Sequence, residues 1–368
     1  MALSIVALPE LLPVYSVDNP SLAKDLVAVT LRNDKLSFTE ALTLDRYSLV
    51  ALDLDGTTLS PEGVVTARTR AAIHALVKVG VRVCFATGRS FPESRQILSQ
   101  IEHYDLAVFV GGPMVVDTAT GQTVVRQHMK TALAVELVKF FQSRGQPACA
   151  LQDRTAAGFD YLITADVPLH ESLAHWLVVT DAVCKYLPAM ALAEADHSNT
   201  LRVGVVVELA TATWLQRELD AAFGERIVQH MIVPTQTRTK VAGVLEVFDP
   251  AVSKWTGIQQ VARRHGIADE AVIAVGDDFN DLAMLRNAGL GVAMGNAVPA
   301  AKAVAGRVIE SNAADGLAKF LEDIVRARAE KPGSVTPENE VCDPARGTTR
   351  ELAANRVCRD GSTNIDSP

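Results

Sequence analysis

The chain is 368 residues long, 48% hydrophobic and 21% charged, with 43 acidic against 35 basic side chains and a net charge of −8. At roughly 150 residues per domain this suggests two domains or one domain with a large insert, and the acidic balance argues against a nucleic-acid partner, which would need a basic face. No run of 18 apolar residues predicts a membrane span, and the five widely spaced cysteines form no C-x-x-C pair, which disfavours disulfides and zinc and fits a reducing cytoplasm.

Residues 1–44 carry short apolar runs without a sustained period and form an N-terminal extension of unassigned order. Glu10 interrupts the first run and no basic segment precedes it, so it does not read as a secretory signal. From Ser48 the pattern alternates. Strand-length apolar runs occur at Ser48–Leu54, Val81–Ala86, Leu106–Val110, Ala271–Val275, Leu290–Ala293 and Arg307–Ile309. Helical periodicity lies between several of them, at Thr66–Val79, Pro92–Ile101, Lys254–His265, Asp278–Ala288 and Asp315–Val325. Nearly continuous apolar strands alternating with helices predict a doubly wound parallel α/β sheet covered on both faces.

The middle of the chain has another character. Met114–Asp117 and Thr123–Arg126 flank Thr-Ala-Thr-Gly and predict a hairpin. Helices follow at Thr131–Arg144, Glu171–Tyr186 and Ala212–Phe223, mixed with strands near Ala148–Gln152, Asp160–Ile163, Leu201–Leu209 and Ile227–Val233. This predicts an inserted α+β cap domain over 114–243, with a catalytic core made of 45–113 and 244–328. Residues 329–368 hold seven Pro or Gly, no aromatic residue and five Val, Leu or Ile, a composition that predicts a disordered tail.

The chemistry concentrates at the expected strand ends. Asp53-Leu54-Asp55-Gly56-Thr57-Thr58 follows the first apolar run and sets two carboxylates two residues apart where ligands of open α/β sheets collect. Neighbouring carboxylates repel unless a cation lies between them, and Mg²⁺ prefers such oxygen ligands. Asp, Gly and Thr are equally ordinary turn residues. An EF-hand loop is excluded because Thr58 and Val64 stand where it needs Gly and Glu. Val81–Ala86 runs into Thr87-Gly88-Arg89-Ser90 ahead of a helix, a natural phosphate contact or a simple turn. Ala271–Val275 runs into Gly276-Asp277-Asp278-Phe279-Asn280-Asp281, where Asp277 can face the first pair and the later acids can serve the helix dipole. Lys254 opens a helix after a Pro-containing loop, and most such lysines are solvated.

In this chain order the segments resemble the haloacid dehalogenase-like phosphohydrolases, specifically the Cof-type group with its cap between the second and third motifs. Gly291-Val292-Ala293-Met294-Gly295-Asn296-Ala297, then Ser311-Asn312 and Asp315-Gly316, extend the resemblance, which spans about 47–327. It implies that Asp53 is the nucleophile, Asp55 the acid and base, Thr87 a phosphoryl contact and Lys254 a neutralising cation. It also implies Mg²⁺ held by Asp53, the Asp55 carbonyl and Asp277, with Asp281 behind them and Gly88, Arg89 and Asn280 as further phosphate contacts. Two positions depart from the group: Gly111-Gly112 stands where Asn-Gly is usual, and Trp255 where Gly follows the lysine. Trp255 would either narrow the site or pack against the sheet.

The remaining candidates read as structural. Cys84 lies inside an apolar strand, and the eight histidines show no ligand spacing. Arg126, Arg154 and Arg202 in the insert read as substrate-anion contacts or as ordinary exposed charge. The expected function is an Mg²⁺-dependent cytoplasmic phosphatase for small phosphorylated metabolites, sugar phosphates or phosphorylated cofactors, working through an aspartyl-phosphate on Asp53. No protein partner is evident. The alternative is a phosphomutase of the same superfamily acting on hexose phosphates. A receiver-like signalling module would be shorter and lack the insert, and a transport ATPase would carry membrane spans and Lys in place of Leu54.

Overall fold

The computed structural model describes residues 44–233 and 242–329. The extension over 1–44 and the tail over 329–368 fall outside that range except for Leu44, which is buried, and Ala329, which closes the last helix.

β1 (Leu49–Leu52) is wholly buried because both its faces are covered. Val50 and Leu52 enter one apolar layer, Leu49 and Ala51 the other. β2 (Arg82–Phe85) runs parallel beside it, and β3 (Leu106–Phe109) joins through a single parallel bridge between Ala86 and Val108. α1 (Ala67–Lys78) and α2 (Phe91–Ile101) connect these strands. The hairpin of β4 (Met114–Asp117) and β5 (Gln122–Arg126), expected at the start of the insert, pairs antiparallel with β3. Val115 explains this choice: it is buried against Val108 and Trp255 in the same apolar layer as Leu49 and Ala51.

A second lobe begins with α3 (Thr131–Gln142). It contains β6 (Cys149–Gln152), β7 (Tyr161–Thr164), α4 (Glu171–Val179), β8 (Cys184–Leu187), β9 (Thr200–Glu208), α5 (Leu209–Phe223), β10 (Val228–Ile232) and β11 (Ala242–Phe248). Its six strands take the order β10-β11-β9-β6-β7-β8. One sheet face packs on α3 and α5 through Val203, Val205, Leu137 and Leu215. The other face, through Tyr161, Ile163 and Phe248, shares an apolar layer with Phe85 and Phe109 of the parallel sheet. The chain enters this lobe after Gln127 and leaves it before Ala251, and the Gln127 Nε2 donates to the Ala251 carbonyl at 3.2 Å.

Two strands here were not expected. The helix foreseen to Tyr186 stops at Val179, because Asp181 takes a left-handed φ of 51° and the Ala182 amide returns to the Leu177 carbonyl. The freed chain becomes β8, parallel to β7. β11 reads poorly because Gly243 lies under α5, where a Cβ would come within 2.5 Å of Ala212, and because Glu246 puts a charge inside a buried run.

The chain then returns to the parallel sheet with α6 (Lys254–Arg264), β12 (Val272–Gly276), α7 (Leu282–Asn287), β13 (Leu290–Ala293), β14 (Arg307–Val308) and α8 (Gly316–Ala329). The order β14-β13-β12-β1-β2 is parallel throughout. α6 covers one face through Trp255, Ile258 and Val261, and α8 with α1 covers the other. The molecule is thus a doubly wound parallel sheet carrying an inserted α+β cap.

Gly111 and Gly112 lie where β3 ends, both at positive φ, 75° and 136°. At Gly111 the conformation is one that Asn tolerates, and a Cβ would meet the Phe248 ring at an ordinary 3.7 Å. At Gly112 a Cβ would lie 2.1 Å from the Ser253 carbonyl oxygen. Gly112→Ala is therefore expected to cost about 2 kcal/mol or more, and Gly111→Asn less than about 1 kcal/mol. Urea denaturation of the two variants measures the difference.

Candidate active site

Each element of the site is a strand end or a helix start. β1 delivers Asp53, whose own carbonyl accepts from Thr58 Oγ1 at 2.5 Å and fixes the turn that follows. Gly56 makes that turn with φ 74°, and a Cβ there would lie 2.1 Å from Asp277 Oδ2, so the residue is needed for both reasons. β12 delivers Asp277, which accepts from Thr57 Oγ1 at 2.8 Å.

α6 starts at Lys254 because Ser253 and Thr256 form a reciprocal cap: the Ser253 hydroxyl accepts from the Thr256 amide and the Thr256 hydroxyl from the Ser253 amide. This puts Lys254 on the inward side, 1% exposed, where its Nζ donates to Asp53 Oδ1 and Asp281 Oδ1, both at 2.6 Å. The other oxygen of Asp281 accepts the amides of Asp277 at 2.8 Å and Asp278 at 3.0 Å. Asp281 is thereby fully occupied with holding the lysine and the turn.

Asp53, Asp277 and Asp281 bring carboxylate oxygens within 4.8 Å of one another, and the Lys254 ammonium bonds the first and the last of them. Burial would lower the Lys254 ammonium, but Asp281 and then Asp53 outweigh it and hold its pKa above the usual lysine value. Burial first, with too little positive charge to compensate, pushes Asp53 well above the ordinary carboxylate range. Asp277 rises to about 7 through burial and then the charge of Asp281. Two carboxyls withdrawn from water and raised in pKa, Asp53 and Asp277, are the condition a hard divalent cation relieves, and the all-oxygen donor set fits Mg²⁺.

The other expected site residues gather around this cluster. Thr87 is fully buried at the end of β2, and its hydroxyl oxygen accepts from the Arg89 amide at 3.1 Å. Asn280 lies against Gly88, and its buried Oδ1 has no hydrogen-bond partner. Asp55 turns its carboxylate outward, where Arg89 grips it with a two-pronged contact of 2.7 and 2.5 Å. The Trp255 indole turns away into the apolar layer beside Leu49 and Val108, so it packs against the sheet.

Arg126, Arg154 and Arg202 each face a carboxylate of this chain: Asp153 at 2.5 Å, Asp160 at 3.2 Å and Glu246 at 2.6 Å. From the cap, His230 on β10 stacks near Phe248, with ring centroids 5.1 Å apart. Desolvation pushes its imidazole down to about 4, with the Lys254 charge as the next cause.

Sequence reasoning assigned no role to Thr57, Asn296 or Asn312. Asn296 Nδ2 donates to the Gly56 carbonyl at 2.8 Å and its Oδ1 accepts the Asn312 amide at 3.0 Å; the Asn312 side chain donates to the Leu59 carbonyl at 2.9 Å. These bonds brace the Asp53–Leu59 turn from β13's far side. The only signal was the Gly-Asn and Ser-Asn pairs after the last strands.

A family description, haloacid dehalogenase-like hydrolase, matches residues 50–321. A 5-amino-6-(5-phospho-D-ribitylamino)uracil phosphatase of Bacillus subtilis is 30% identical over 288 residues, covering 75% of this chain and 96% of its own. A haloacid dehalogenase-like hydrolase of Bacteroides thetaiotaomicron superposes with a TM-score of 0.59 at 20% identity, covering 76% of this chain and 99% of its own. A subclass IIB sugar phosphatase of that superfamily superposes equally, 0.59 at 19% identity, over 75% and 98%.

The raised Asp277 carboxyl makes a signed prediction. A group whose folded pKa exceeds its unfolded value stabilises below the unfolded pKa and loses that contribution as pH rises through the folded one. In chelator, wild type should lose stability relative to Asp277→Asn as pH rises from about 4 to about 7, and Mg²⁺ should flatten this difference. Urea midpoints across that range check it.

Proposed function

The chain belongs to the haloacid dehalogenase-like hydrolases and is a phosphatase, and we propose that it hydrolyses small phosphate monoesters with Mg²⁺ through an aspartyl-phosphate on Asp53. The observation that carries this reading is the Asp53–Lys254–Asp281 chain beside Asp277, at the carboxyl ends of β1 and β12. The two phosphatases named above support hydrolysis over return of the phosphoryl group to an isomerised sugar. They also support a sugar phosphate or phosphorylated cofactor as substrate class. We assign the hairpin β4–β5 to the catalytic side and all of β11 to the cap, refining the division at 114 and 244. Free thiols at Cys84, Cys149 and Cys184 fit a cytoplasmic setting.

In this reading Asp53 attacks phosphorus, and Asp55 gives its proton to the leaving oxygen. Asp55 then takes a proton from water, which attacks the phosphoryl group and releases phosphate and free Asp53. Arg89 first transfers its two-pronged grip from Asp55 to phosphoryl oxygens, which frees Asp55 to carry the proton. Asn280 lies against Gly88, next to Thr87, and its orphaned Oδ1 would find a partner in substrate or bound water. Lys254 neutralises charge at Asp53 and on the transferring group. Mg²⁺, held by Asp53, Asp277 and the Asp55 carbonyl, would supply charge neutralisation for phosphoryl transfer.

Purified protein is expected to release phosphate from p-nitrophenyl phosphate only with Mg²⁺, and Asp53→Asn to lose more than about a thousandfold in rate. Asp55→Asn should accumulate a hydroxylamine-sensitive phosphoenzyme with a good leaving group such as p-nitrophenol. An active Asp53→Asn protein would refute the mechanism.

A further inference from the structure

We propose that Glu93 is a positioning residue that latches the cap to the phosphate side of the active site through Trp176, an inference that rests on the phosphatase reading. Glu93 stands in the first turn of α2, three residues after Ser90. Its Oε2 accepts the Ser90 amide and hydroxyl, both at 2.6 Å, the ordinary work of a helix-capping glutamate. Capping uses only that oxygen. Oε1 accepts the indole N–H of Trp176 at 3.0 Å, across to α4 in the other lobe.

The residues on each side give this bond its consequence. On the catalytic side, Ser90 adjoins Arg89, which grips Asp55, and the Arg89 amide is bound to Thr87. On the cap side, the Trp176 ring meets Tyr161 edge-on, with centroids 5.7 Å apart. Beyond Tyr161 lies Arg202, paired with Glu246 on the strand that also pairs His230. The Glu93 charge is felt by Tyr161, Arg202 and Glu246 alike, so the carboxylate that bonds Trp176 adds to the electrostatics of the cap's polar residues. A half-buried indole N–H needs an acceptor, and the one it uses also orders the turn that presents Thr87, Gly88 and Arg89. Cap seating and phosphate-turn order therefore share one side chain.

Substrates with a leaving group beneath the cap depend on this latch more than those without. Glu93→Gln keeps an oxygen for the Ser90 amide but turns an NH₂ toward the indole N–H; Trp176→Phe keeps an aromatic ring and the capping box and removes the donor. Each variant is expected to raise KM for p-nitrophenyl phosphate about tenfold with kcat changed less than about twofold. The loss in kcat/KM on acetyl phosphate should be at least about fivefold smaller. The double variant should be no worse than either single one, since both remove the same bond. Losses equal on both substrates, additive losses, or no loss would overturn the latch. A second readout needs no turnover: the Trp176 emission, taken as wild type minus Trp176→Phe, should shift to the red in Glu93→Gln. An inactive wild type would refute the phosphatase reading, and an unshifted emission would refute the latch.

Discussion

Two buried carboxylates, Asp53 and Asp281, share one ammonium with the half-buried Asp277 beside them, and much of the architecture keeps these groups together. Lysine and aspartate are rarely buried unless paired, and here the pairing is deliberately unbalanced. Lys254 binds Asp53 and Asp281, while Asp277 accepts from the Thr57 hydroxyl at 2.8 Å and bonds no cation among the described residues. Parallel strands make this possible by ending at one rim, so the paired β1 and β12 present Asp53 and Asp277 at neighbouring strand ends. The remaining parts answer the stress this creates. Asp281 spends its second oxygen on the backbone of Asp277 and Asp278, and Asn296 and Asn312 tie down the opposite turn.

Much of this was legible in the sequence, for identifiable reasons. Strands buried on both faces have to be apolar throughout, so β1, β2, β12 and β13 stood out, and with them the polar residues at their ends. Lys254 was legible only in combination, because a lysine at a helix start is ordinarily solvated; what buries it is the Ser253–Thr256 cap, which sets the helix rotation. The Arg89–Asp55 grip was not legible, since nothing in the spacing says that Asp55 turns outward. The cap was harder. β8 hides behind a helix that ends on a left-handed Asp181, a conformation no apolar pattern announces. β11 hides because Gly243 and Glu246 break its pattern for tertiary reasons, one to admit α5 and the other to meet Arg202.

The sequence left Arg126, Arg154 and Arg202 open between substrate-anion contacts and ordinary exposed charge, and each faces an acid of its own chain. Two of these pairs have a structural use visible in the fold. Arg126, on the hairpin, reaches the fully buried Asp153 at the end of β6, and so ties the hairpin to the cap. Arg202 and Glu246 bridge β9 and β11 on the face that looks toward the parallel sheet.

The bond between Gln127 and Ala251 places the points of entry and exit of the cap next to each other. A lobe spliced in through a single doorway can lengthen, shorten or exchange its strands without re-threading the sheet beneath. The parallel sheet and its strand ends are thereby covalently independent of changes made within the inserted lobe.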